Sequence, residues 1–283
     1  MTDTSPQLVD FVPLRLDTAT EAAPWLQVRW PGNPRVRAVF TSCAGGVSRG
    51  DYACASAPQG GMNLGTHVGD DPERVAQNRL RLLAVLNGAQ PRYLQQVHGV
   101  AVADLDTLVD GAEPQADAAC TTRPGIAATV LVADCLPVLF AAPEGRAVAA
   151  AHAGWRGLAA GVLEASLHAV CQRAGCAANA VQAVLGPAIG PQAFEVGAEV
   201  RAAFVDLHPQ TASAFTPGQP GKWLADIGQL ARIRLQRAGM QAHHIGGGGL
   251  CTVHTPHRFY SFRRQRVTGR QAGCIWVDDT TQA

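Results

Sequence analysis

Apolar and polar positions along this chain follow two rhythms, and each predicts its own kind of element. Short runs rich in Val, Leu and Ala read as buried strands: Val36-Arg-Ala-Val-Phe-Thr-Ser42, the stretch Gly125 to Ala142 as strand, turn and strand, Arg146 to Gly154, and Ala180 to Gly190 running into a Pro/Gly loop. The segment from Pro91 to Leu105 reads as paired extended pieces around His98 and Gly99. Helical patterns occupy Glu73–Gly88, Gly157–Gly175, Ala198–Leu207 and Trp223–Met240. The first has the firmest start, with Asp71 as N-cap, Pro72 at the first helical position and Glu73 in the first turn; Gly88 closes it. Pro24, Pro31 and Pro34 predict that residues 1–35 form an irregular extension before a domain at 36–283, and the tail from Leu250 to Asp279 reads as extended. With no repeat and no linker, the pattern predicts one mixed domain carrying helices outside its sheets.

Composition narrows the class. Of 283 residues, 47% are hydrophobic and 16% charged, which suits a compact enzyme rather than a disordered chain. A net charge of +1 argues against nucleic acid or a membrane surface as a general partner, since both reward a concentrated basic face. The most apolar stretch, Ile126 to Ala142, contains Asp134 and Pro137 and is too short to span a bilayer; the first 20 residues resemble no targeting signal, so the expected location is the cytoplasm. Eight scattered cysteines without a C-x-x-C pair read as mostly reduced thiols.

Three apolar segments each deliver a metal-capable side chain into a Gly- or Pro-rich turn: His98 in QQVHG, Cys135 in VADCLP and His152 in AHAGWRG. Two imidazoles and a thiolate suit Zn²⁺, and three protein ligands leave a fourth position for water or substrate. The same residues also permit a metal-free Cys135 nucleophile with His152 as base, or three unrelated core residues. His67 and Cys251 are candidates for a fourth ligand, which would make the ion a structural staple of a binding module. Arg258, Arg263, Arg264, Arg266 and Arg270 crowd one aromatic-rich segment without an acid, and guanidinium groups bind phosphate through paired hydrogen bonds. If that segment is a strand, Tyr260, Phe262 and Arg264 share a face; the alternative is a solvated, charge-protected edge. Arg156, beside His152, is the better single candidate for an anion, and Asp134 for a supporting acid or a turn-capping one. Gly46-Val-Ser48-Arg-Gly50 matches the hydrolase G-x-S-x-G elbow, but no helix follows it.

The strings GGVS, NLGTHVGDDPERVAQNR, LQQVHG, ADCLPVLF, AHAGWRGLAAGVLE, GPAIGPQAFEVG and FYSFRR…TGR, in this order, closely resemble the laccase-domain family, also called multicopper polyphenol oxidase-like or peptidoglycan-editing proteins. The resemblance covers residues 36 to 278. It implies an α+β fold, a single-domain mixed β-sandwich with helices packed outside in α/β/β/α layers, and a zinc held by His98, Cys135 and His152. It also implies phosphorolysis of purine nucleosides (adenosine, inosine, guanosine and methylthioadenosine), with deamination of adenosine to inosine, by a monomer or small homo-oligomer. Arg156, Arg263 and Arg264 are the expected anion contacts and Asp134 an auxiliary group. Alternatives on the same residues are cell-wall precursor editing and copper-dependent polyphenol oxidation, since Cu²⁺ outranks Zn²⁺ in intrinsic affinity. A blue-copper site would want an axial methionine, and Met1, Met62 and Met240 all lie outside these motifs. Two departures from the family pattern bear on anion or substrate preference: Cys43 stands where an arginine is usual, and Gly249 where an acid is common. The loop before Asn63 is also longer.

Overall fold

The structure, a computed structural model, describes residues 10–14, 25–57 and 60–278. Its strands in chain order are β1 (Asp10–Leu14), β2 (Trp25–Arg29), β3 (Val36–Phe40), β4 (Ala44–Ser48), β5 (Gln90–Arg92), β6 (Val102–Asp104), β7 (Ala118–Thr121) and β8 (Ile126–Val132). They continue with β9 (Leu136–Ala141), β10 (Val148–Ala153), β11 (Gln182–Leu185), β12 (Glu195–Gly197), β13 (Phe215–Pro217), β14 (Lys222–Ala225), β15 (Ile245–Gly247) and β16 (Gln271–Val277). The helices are α1 (Pro72–Val85), α2 (Trp155–Ala160), α3 (Val162–Ala174), α4 (Ala198–Val205) and α5 (Ile227–Arg237).

Two six-stranded sheets, ordered β1-β2-β3-β16-β8-β5 and β15-β11-β9-β10-β7-β6, face each other, and a small sheet β12-β14-β13 packs Val196, Phe215 and Ala225 into the helix-side core. Period-2 alternation assigns each strand's two faces. Along β9, Leu139 and Ala141 join Val130, Ile275 and Phe40 between the sheets, while Leu136, Val138 and Phe140 face the layer of Leu158, Leu163, Leu167 and Leu230. On the far side, α1 lays Leu82 against Val39, Leu131 and Trp276. The result is the expected α/β/β/α sandwich in a single mixed α+β domain. Alanine fills much of β10: Ala149 and Ala151 pack toward the helices and Ala150 toward the opposite sheet, and such small side chains let the layers approach closely.

Several elements depart from the sequence reading. The 1–35 stretch contains β1 and β2; Pro24 lies outside the described residues, Pro31 follows β2 rather than interrupting it, and the strand buries Leu26 and Val28 on one face and Trp25 on the other. Gly161, at φ +107°, splits the helix expected after Gly157 into α2 and α3. The start of the expected Trp223–Met240 helix is β14, and Asp226 caps α5 by accepting from the Gln229 N–H at 2.9 Å. The arginine-rich tail is a series of turns up to β16, so Tyr260, Phe262 and Arg264 do not share a strand face: Tyr260 is 3% exposed and Phe262 39%. Cys43 is disulfide-bonded to Cys54 in the lengthened loop, while Cys120, Cys135, Cys171, Cys176, Cys251 and Cys274 are free. Among the described residues no helix is long and apolar enough to cross a membrane.

Candidate metal centre

Sheet order brings the three donors together. Cys135 sits in the turn that joins β8, in one sheet, to β9, in the other. His152 lies near the end of β10, which pairs antiparallel with β9. His98 comes from the loop between β5 and β6. Their ligating atoms all lie within 4.8 Å of one another, and the group numbers three among the described residues; His67 and Cys251 are not part of it. Cys135 Sγ is 3.7 Å from His98 Nε2, against about 3.6 Å expected for a thiolate and an imidazole on one tetrahedral zinc. His152 is buried, Cys135 half-buried and His98 exposed, so the group opens on one side. That donor set fits a divalent transition-metal ion.

One carboxylate organises both histidines, and the sequence reading missed it. Asp117, fully buried just before β7, accepts from His152 Nδ1 at 2.9 Å, which turns Nε2 toward the other donors. It also accepts the backbone N–H groups of Val97, His98 and Gly99 at 3.2, 2.8 and 2.6 Å. These bonds hold His98 at φ +62°, a left-handed conformation that a non-glycine residue adopts only under constraint. The only signal in the sequence was an acid directly before a buried apolar strand.

The glycines of AHAGWRG make room for this assembly. A Cβ at Gly154 would lie 2.5 Å from His98 Cδ2 and 3.1 Å from both Cys135 Sγ and His98 Nε2. A Cβ at Gly157 would lie 2.8 Å from the Gly99 carbonyl oxygen.

Charge couples the donors when no ion is bound. Burial pushes the Cys135 thiol up, but the charge of His152 and hydrogen bonds from both histidines outweigh it and bring it down to about 6. Burial likewise disfavours the His152 imidazolium, yet the Cys135 thiolate and the Asp117 carboxylate raise it to about 9. Burial would raise Asp117 too, but hydrogen bonds from His152 and the Gly99 N–H hold it below the usual carboxylate range.

A cavity of about 280 Å³ adjoins the donors, with His98, Cys135 and Asp134 in its wall. Arg156, Arg263 and Arg266 line it, and each guanidinium lies over an aromatic ring of the same wall: Trp155 at 4.4 Å, Phe194 at 5.8 Å and Phe262 at 4.8 Å. Arg264, expected among the anion contacts, is not in that wall. Its guanidinium donates to the carbonyls of Thr252, Val253 and Phe259 and ties the tail turns together, because the tail is not a strand. Asp134, expected to support the ligands, sits at φ +88° and turns its carboxylate elsewhere: it accepts from Thr252 Oγ1 and from the Arg263 N–H, both at 2.6 Å. It anchors the tail to the Cys135 turn. Ser48 of the G-x-S-x-G string is fully buried and donates to Asp70, so it is a structural hydroxyl.

A family model described as multi-copper polyphenol oxidoreductase laccase matches residues 37–278. The chain belongs to this family. A Pseudomonas aeruginosa protein named a purine nucleoside phosphorylase is 49% identical over 256 residues, covering 90% of this chain and 99% of that protein. The Escherichia coli purine nucleoside phosphorylase YfiH is 45% identical over 251 residues, covering 88% and 97%. Among solved structures, a Neisseria meningitidis protein superposes with a TM-score of 0.82 at 43% identity, over 90% of this chain and 99% of that one. YlmD from Geobacillus stearothermophilus gives 0.83 at 30%, over 93% and 99%. Among the described residues the methionines are Met62 and Met240, each buried in a hydrophobic core cluster, whereas a blue-copper site would want an axial methionine.

Proposed function

We propose that this laccase-family chain is a zinc-dependent purine nucleoside phosphorylase. The observation that carries the reading is the juxtaposition of a His/Cys/His donor set with a cavity whose wall holds three arginines. Relatives named as purine nucleoside phosphorylases support the substrate class. His98, Cys135 and His152 would hold the ion, which supplies Lewis acidity toward a substrate oxygen or a water.

The chain's own residues do the rest. Arg156, Arg263 and Arg266, each stacked on a ring, present a preformed cationic surface to inorganic phosphate and orient one oxygen toward the sugar. That oxygen forms a bond to C1′ as the C1′–N bond to the purine breaks, and the proton of hydrogen phosphate passes to the departing base, giving ribose 1-phosphate and the free base. Asp117 keeps His152 in the tautomer that can ligate, and Asp134 fixes the Arg263 backbone. Deamination of adenosine, the second proposed activity, adds water at purine C6 and breaks the C6–N6 bond to give inosine and ammonia, with the nucleoside turned so that its base rather than its ribose meets the metal donors.

Incubating the purified protein with adenosine, with and without phosphate, tests both. Adenine with ribose 1-phosphate reports phosphorolysis and inosine reports deamination. No product from adenosine, together with turnover of a muramyl precursor, would replace this reading by cell-wall editing.

A further inference from the structure

A second cavity, of about 420 Å³, lies next to the first. Ile189 and Ile227 belong to both walls, and Leu136, the residue after Cys135, belongs to the second. The two cavities differ in charge. Three arginines line the first, whereas no arginine or lysine is among the described residues lining the second. Backbone of Gly186, Gly190, Gly228, Gly248 and Gly249 makes up much of its wall, with Leu136 and Leu250 as apolar surface. Gly248 and Gly249 adopt φ +83° and +78°, and a Cβ at Gly249 would meet nothing within 4 Å. Where the family commonly carries an acid, this chain therefore places no side chain at an exposed position of the cavity wall. Such a wall suits a flat, uncharged heteroaromatic ring.

Aromatic stacking in the first cavity offers a purine less. Trp155, Phe194 and Phe262 already carry Arg156, Arg263 and Arg266, and Arg270 also lies over Phe262 at 5.9 Å. A base stacked there would meet cations already resting on those rings. The second cavity presents no such competitor, and it contains a carboxylate, Asp226. One oxygen of Asp226 accepts the Gln229 N–H that caps α5. An ionised carboxylate has about four acceptor sites, so capacity remains for an N–H of a ligand.

We infer that the second cavity is the base subsite: it receives the purine ring of the nucleoside, with Asp226 accepting a ring or exocyclic N–H, while the ribose crosses the Ile189–Ile227 ridge toward the metal donors and the arginines. This division sends the anionic reactant to one cavity and the neutral leaving group to the other. It rests on the phosphorolytic reading above, but its test does not need turnover.

Calorimetric titration of the purified protein with adenine and with hypoxanthine, in phosphate-free buffer, reads the subsite directly. Both bases should bind, and Asp226→Asn should weaken at least one of them tenfold or more. Asparagine caps helices as well as aspartate does, so α5 should persist, as circular dichroism will check. The nucleoside KM should rise by a similar factor, with the phosphate KM and metal content unchanged. Gln192→Trp, at an exposed rim position, should obstruct the cavity and raise the nucleoside KM in the same selective way. Bases that fail to bind wild type, or variants that leave both base binding and nucleoside KM unaltered, overturn the assignment. Base binding that Asp226→Asn weakens, in a protein with no phosphorolysis, supports the subsite and defeats the activity reading instead.

Discussion

Gly154→Ala isolates metal binding from folding. Gly154 has φ −65° and ψ 157°, an extended conformation open to alanine, and it contributes no side-chain cap to α2. The added methyl would sit 2.5 Å from His98 Cδ2, whereas carbon atoms pack at about 3.5 Å or more, so the imidazole must move by about 1 Å. Metal–ligand distances tolerate only about 0.2 Å. His98 is exposed and can swing away cheaply, which predicts a folded protein that has lost one of three protein ligands. Affinity should fall at least 100-fold, or about 2.8 kcal/mol at 1.4 kcal/mol per factor of ten. Competition against a chromophoric chelator measures the affinity, and thermal melts of the metal-free proteins, expected within a few degrees of each other, control for folding. A Gly154→Ala protein that binds the ion as tightly as wild type would refute the packing argument.

Asp117→Asn should weaken metal binding by about 10- to 100-fold, because an amide NH₂ must then face the backbone donors of residues 97–99; unchanged affinity would show that Asp117 is not the organiser. In metal-free protein, iodoacetamide labelling of Cys135 followed by mass spectrometry should rise through pH about 6 and then level, while bound metal should protect it. A midpoint in the ordinary thiol range would contradict the thiolate–imidazolium pair. His152, raised to about 9, must release its proton to ligate, so metal affinity should increase as pH rises. The expected slope is about tenfold per unit between pH 6.5 and 8.5, and a flat profile would count against it. Arg156→Ala should raise the phosphate KM with little loss of stability, whereas Arg264→Ala should lower the melting temperature by freeing three carbonyls in the tail. The opposite assignment of effects would restore Arg264 as an anion contact.

What the sequence made legible is what local pattern controls. Strand ends followed by glycine or proline marked His98, Cys135 and His152, and apolar alternation marked the sheets that bring them together. The four layers came from the family resemblance, and faces such as Leu139 against Phe140 on β9 bear them out. Asp117 was not legible, because its role depends on β7 pairing beside the end of β10, a relation between residues 35 apart. The tail misled for the opposite reason. Alternating aromatics and arginines imitate a strand, but Arg264 gathers the carbonyls of Thr252, Val253 and Phe259 into turns, and the cavity receives Arg266 in its place. Prolines beside β2 hid a strand whose Trp25 is 1% exposed.

X-ray absorption at the metal edge of the protein as purified asks most directly whether three distant residues share one ion. The account predicts zinc with one sulfur at about 2.3 Å and two imidazole nitrogens at about 2.0 Å, the sulfur vanishing in Cys135→Ala. A protein that takes up no divalent ion, or one whose ion has a shell without sulfur, would contradict it.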